Sequence, residues 1–172
     1  MFKNNKAIKF IVIFVISYLL LNGLYQLILW AYNPQVDLFT HYTTTSLCAI
    51  FNDFSYVPSH YQIGYVLSYK QQKIINITEG CNAIAIVITL LSFCIAYTSK
   101  IKNYLLFIPI ALSLVYIMNQ LRIYWLVLIK VHYPNFFSFF HVYIFPAILY
   151  LVAFGLMVIW IKFFVDKELK EN

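Results

Sequence analysis

The chain has 172 residues, of which 63% are hydrophobic and 10% charged, with mean hydropathy +0.79 and a formal net charge of +6. Soluble domains are about half apolar and about a quarter charged, so a chain this apolar cannot hide its surface in one water-soluble core. The basic residues cluster beside apolar runs, which is how a membrane protein sets its topology and not how a nucleic-acid surface is built, so no nucleic-acid partner is expected.

Crossing about 30 Å of hydrocarbon takes roughly 20 helical residues. By that measure the sequence predicts an all-α polytopic membrane protein with about four transmembrane helices. The first covers about residues 10–30 (FIVIFVISYLLLNGLYQLILW). Its apolar stretch is too long for a signal-peptide core and no small-x-small site follows, so it reads as an uncleaved anchor. An outward-facing segment follows, 31–79, with turn signals at Asn33-Pro34 and Val57-Pro58. Within it, YQIGYVLSYKQQKIINIT alternates weakly between apolar and polar residues around KQQK, the pattern of a β-hairpin lying on the membrane surface. The stretch Leu38 to Phe54 reads as a short interfacial helix. The second span, 80–97, is short; the third covers 104–129 and the fourth 142–164. With no internal repeat and no second soluble region, residues 1–172 read as a single membrane-embedded domain.

Basic residues orient the chain. Lys3, Lys6 and Lys9 precede the first span, Lys100 and Lys102 follow the second, and Lys162, Lys167 and Lys170 end the chain. Only Lys70, Lys73, Arg122 and Lys130 remain for the other side, which predicts both termini in the cytoplasm. Trp30, Tyr32 and Trp125 then fit anchors at the outer interface.

Three reactive residues fall at one expected depth: Cys81 opening the second span, Arg122 in the outer half of the third, and His141 starting the fourth. A thiol attacks as its thiolate, which a neighbouring base or positive charge promotes, and a helix N-terminus favours the same charged form. An imidazole exchanges protons near neutral pH, and a guanidinium offers a planar fork of donors to an oxyanion. Each residue also has a plainer role. Cys81 could be a small apolar residue, or it could form a disulfide with Cys48 in a non-catalytic membrane scaffold or assembly subunit. Arg122 could snorkel, although it is the single Arg among twelve basic residues and an intramembrane Arg costs about 2.5–3.5 kcal/mol to insert. His141 has a competitor in His132, whereas His41 and His60 read as surface residues. Glu79, Asn82 and Asn119 are supporting candidates: Glu79 to orient His141 or Arg122, and Asn119 because it lies one turn before Arg122 on the same helix face. Cys94 is too far along its helix to pair with Cys81. Spacing gives no metal or cofactor set: there is no HxxxH, no CxxC, no Gly-rich phosphate loop and no carboxylate pair.

The runs Glu79-Gly80-Cys81-Asn82-Ala83 and Asn119-Gln120-Leu121-Arg122-Ile123, with His141 opening the last span, resemble the exosortase/archaeosortase family. They look most like its Bacteroidetes branch, exosortase F. The order Cys, Arg, His matches, and the similarity covers the second span to the fourth. Many relatives have C-S-G where this chain has C-N-A, and many carry more helices. The resemblance implies a membrane-embedded cysteine transpeptidase or protease working through a thioester at the periplasmic face of a bacterial inner membrane. Its substrates would be exported proteins with a C-terminal sorting tail, made of a short signature, one transmembrane helix and a basic end. Cys81 would be the nucleophile, Arg122 the oxyanion or thiolate stabiliser and His141 the acid/base, with no cofactor.

Overall fold

The computed structural model describes residues Asn4–Val165. Lys3, Lys167 and Lys170, used above to orient the chain, lie outside the described residues. Helix α1 runs Asn4–Tyr32, and α2, Leu38–Ile50, follows it. Strands β1 (Phe54–Pro58), β2 (Tyr65–Tyr69) and β3 (Gln72–Ile77) come next, and then a 3-10 turn at Glu79–Cys81. Helices α3 (Ile84–Ala96) and α4 (Ile101–His132) precede a last helical segment, Pro134–Val165.

The described residues hold three helices long and apolar enough to cross a membrane: Lys6–Tyr32, Ile101–His132 and Pro134–Val165. The second predicted span is shorter than its sequence suggests. Asn82 ends the 3-10 turn and its side-chain oxygen accepts from Ile84 N at 3.1 Å, so α3 starts at Ile84, not at residue 80. At 1.5 Å per residue its 13 residues rise about 20 Å, less than the hydrocarbon thickness. The last helix starts earlier than predicted, at Pro134, which suits the first turn because proline has no N–H to leave unpaired there. His141 therefore lies inside this helix and not at its start.

The outer segment holds both the helix and the hairpin. Asp37 caps α2, its carboxylate accepting from Phe39 N and Thr40 N, both at 3.0 Å. The buried face of α2 is Thr40, Thr43, Thr44 and Leu47, the i, i+3, i+4, i+7 spacing of an amphipathic helix written largely in threonine. Thr44 Oγ1 donates to the Thr40 carbonyl at 2.9 Å, so its hydroxyl can be buried without an orphan donor. The sheet is antiparallel in order β1-β2-β3, and between Leu67 and Ser68 of β2 the register shifts, leaving Ile74 of β3 as the extra residue of a bulge. The β2–β3 turn places Lys70 at φ +49° and Gln71 at φ +67°, the left-handed pair that matches the twist of a two-residue hairpin.

The chain divides into two compact units. One gathers the described residues up to Gln26, Ala85–Val115 and those from Leu149 on. There Trp160 is fully buried, rings of Tyr104, Phe107 and Phe164 pack around it, and its indole N–H donates to the Tyr97 carbonyl at 2.9 Å. Cys94 is buried in this unit. The other comprises Leu27–Ile84 and Tyr116–Ile148, with a core of Leu47, Phe54, Leu67, Ile77, Ile123 and Val127. Cys48, Phe51, Cys81 and Tyr124 pack against that core. All the chemistry-bearing residues singled out above except Cys94 belong to this second unit.

Candidate active site

Cys81 closes the 3-10 turn that leads from β3 toward α3, and it is half-buried. The turn is pinned by Cys81 N donating to the Thr78 carbonyl at 2.8 Å. Its own carbonyl accepts from Asn119 Nδ2 at 2.8 Å, a bond from a fully buried side chain on α4. Asn82, also buried, donates to Thr40 Oγ1 at 3.3 Å and so ties the turn to α2. Gln120 Nε2 donates to the Thr43 carbonyl at 3.1 Å and ties α2 to α4. Both supporting asparagines therefore hold the backbone around the thiol.

Cys81, Arg122 and His141 line one cavity of about 370 Å³. On α4 the stripe Asn119, Arg122, Leu126, Lys130 recurs at three- and four-residue steps, and the last three of these face the cavity. On the last helix Phe137 and His141 are four residues apart, with their rings stacked at 5.5 Å and 8°. Lys130 Nζ sits 4.9 Å from the Phe137 ring centroid. His141 occupies a π-helical turn, Phe140–Ile144, a wider coil that often accompanies function. Its cause is local: Pro146 has no N–H to offer the Val142 carbonyl, so the ladder must open there.

Arg122 interacts electrostatically with Cys81 and with His141. Its Nε is buried with no hydrogen-bond partner, and no acidic side chain lines the cavity among the described residues. A guanidinium held this way lacks the counter-charge that normally offsets its desolvation.

The other candidates fall away from the cavity. Glu79 is exposed and absent from its lining. His132, the last residue of α4, is exposed and also outside the lining. His60 is exposed, as expected. His41 is not a plain surface residue: its Nδ1 lies 2.7 Å from the Tyr65 hydroxyl, and burial pushes the Tyr65 phenol up. Cys48 and Cys81 are both free thiols, so the disulfide left open by the sequence is absent. Burial raises the Cys48 thiol above its ordinary range, which lowers its thiolate fraction. Lys73, Lys130 and Phe137 were not among the predicted site residues. Only the four-residue step from Phe137 to His141, and the outer side expected for the two lysines from the charge bias, hinted at them.

Two substitutions test how the turn is held. Asn119→Ala removes a buried donor to the Cys81 carbonyl and should destabilise the fold by about 1–3 kcal/mol, read as a lower denaturation midpoint in detergent. Ala83 sits at φ +59°, a conformation that costs a side-chain-bearing residue about 1–2 kcal/mol. Ala83→Gly should therefore stabilise the fold by about 1 kcal/mol once glycine's extra chain entropy is subtracted, read as a higher denaturation midpoint.

A family model described as transmembrane exosortase matches residues 3–161. No curated protein and no solved structure matches the chain. The match spans nearly the whole sequence, so the chain belongs to the transmembrane exosortase family.

Proposed function

We propose that this exosortase-family membrane protein is a cysteine transpeptidase or peptidase with Cys81 as nucleophile, Arg122 as oxyanion and thiolate stabiliser, and His141 as acid/base. The observation that carries the reading is that these three side chains, distant in sequence, line one cavity with no acidic side chain in its lining among the described residues. His141 takes the Cys81 proton, and the thiolate attacks the scissile carbonyl carbon. Arg122 holds the resulting oxyanion. Collapse breaks the C–N bond, His141 returns its proton to the departing amine, and the acyl group remains as a Cys81 thioester. An acceptor nucleophile or water resolves the thioester and restores the thiol.

The substrate class we infer is an exported protein whose C-terminal tail carries a short signature, a transmembrane helix and a basic end. Its helix would approach laterally through the bilayer, and cutting would take place at the periplasmic face of the inner membrane with both termini of the enzyme in the cytoplasm, an orientation in which α3 and its flanking residues make a fourth crossing beside the three long helices. The charge bias of the loops supports that orientation. The scaffold alternative loses its main support, because its proposed staple is absent.

Hydroxylamine tests the intermediate directly. It attacks a thioester, displaces the thiol and leaves a hydroxamate on the acyl fragment. Membranes of the native host treated with it should yield envelope proteins ending in C-terminal hydroxamates, found by mass spectrometry of C-terminal peptides. Finding only intact tails or only free acids, in cells containing the protein at normal abundance, would remove the thioester from the mechanism.

A further inference from the structure

One wall of the cavity that holds Cys81 is a strand. Lys73, Ile74, Ile75, Asn76 and Ile77, nearly all of β3, line it. β3 is an edge strand, because the sheet order is β1-β2-β3. Among the described residues its backbone pairs only with β2, so its other side presents N–H and C=O groups in need of partners. Proteins usually blunt such edges. The opposite edge follows that practice: β1 ends in Pro58, which has no N–H to offer. β3 contains no proline; it carries Lys73 and a bulge at Ile74, and from Lys73 to Ile77 it still lines the same cavity as the thiol.

We infer that β3 is the docking edge for the polypeptide to be cleaved. That segment binds in extended form as a fourth strand, with its backbone hydrogen-bonded to Lys73–Ile77 and its scissile carbonyl delivered to Cys81. The inference rests on the cysteine-nucleophile reading above and adds to it the conformation and register of the substrate. Three observations commit the edge to this occupant. The edge is continuous with the reactive thiol, since a 3-10 turn of Glu79–Cys81 follows β3 almost directly. Its five lining residues span about 16 Å, the length of a five-residue extended peptide. The fixed charges in the cavity, Lys73, Arg122 and Lys130, are all basic, so the paired segment is one without basic residues. Main-chain bonds to an open edge supply affinity with little demand on side chains, and the alternate side chains that meet the cavity set selectivity.

A parity test separates strand pairing from simple access to the thiol. The full chain in lipid nanodiscs is treated with an acetylated Ala/Val/Thr pentapeptide chloromethyl ketone, whose chloride the thiolate displaces to form a thioether. Two analogues replace alternate amides by esters, one at odd and one at even positions, removing N–H donors without adding bulk. Alkylation of Cys81, Cys48 and Cys94 is followed separately by mass spectrometry, with iodoacetamide as a small-molecule reference. Strand pairing turns every second N–H toward β3. One ester series should therefore alkylate Cys81 about tenfold more slowly than the parent, while the other keeps the parent rate. Equal rates for all three peptides would overturn the docking edge, and Cys81 reacting normally with iodoacetamide would leave the nucleophile reading standing. If Cys81 resists even iodoacetamide while Cys48 is labelled, the nucleophile reading and the docking edge fall together. A Lys-containing pentapeptide should be slower than the parent, and a faster one would contradict the charge argument.

Discussion

Replacing Cys81 with Ala or Ser is expected to stop tail processing, with a loss on the order of 10⁴-fold or more in turnover. Losses of this size follow removal of a nucleophile that acts as part of a unit, because the remaining groups can only bind and polarise the substrate. The measurement is the C-terminal peptide profile of envelope proteins in the native host carrying Cys81→Ala. Tail-bearing precursors should accumulate, and those precursors name the substrates. The substitution leaves the surrounding architecture alone: Asn119 bonds the residue-81 carbonyl, not the thiol, and Asn82 still ties the turn to α2. Mutant protein should therefore stay at normal abundance in the membrane. Cys48→Ala is the matched control. It removes a thiol that also packs against the core yet lies outside the cavity lining, and processing should continue. Unchanged C-termini in an abundant Cys81→Ala protein would sink the enzymatic reading.

The second large effect belongs to Arg122. Arg122→Lys keeps the positive charge but replaces a planar fork of donors with a compact ammonium. If charge alone served, the lysine would rescue. The orphaned, buried Nε argues that directed donors matter, so Arg122→Lys should lose about 10²–10³ in turnover, the usual cost of one oxyanion donor. Turnover is compared with substrate affinity in nanodiscs, using a precursor identified in the Cys81→Ala host. A loss confined to turnover fits a group that acts on the transition state. A loss confined to affinity would reassign Arg122 to substrate holding. Wild-type turnover in Arg122→Lys would remove it from the oxyanion role.

The membrane character, three of the four predicted spans, and the Cys–Arg–His order were all legible in the sequence. Each rests on composition or local periodicity, which a linear reading carries without knowing the fold. The hairpin was legible too, but its turn was not marked by Asn-Gly; Lys70 and Gln71 adopt the left-handed conformation instead, so the register came only from the structure. The buried face of α2 was hidden because threonine does not read as apolar, although its hydroxyls are satisfied within the helix. The true start of α3 depended on the 3-10 turn and the Asn82 cap, a local hydrogen bond that hydropathy does not see.

The tertiary structure decided which candidates share a cavity. Cys81, Arg122 and His141 converge there, Glu79 and His132 do not, and Lys73 with the rest of β3 enters unannounced. Convergence depends on how a 3-10 turn, one stripe of α4 and a π-turn ahead of Pro146 are packed, and none of these is a periodic feature of the chain. The sequence by itself determined the solvent, the family resemblance and the reactive residue types, because hydrophobicity and side-chain chemistry belong to each residue alone. Which groups meet, which edge stays open and which charge lacks a partner belong to pairs of residues, and only the folded chain assigns those pairs.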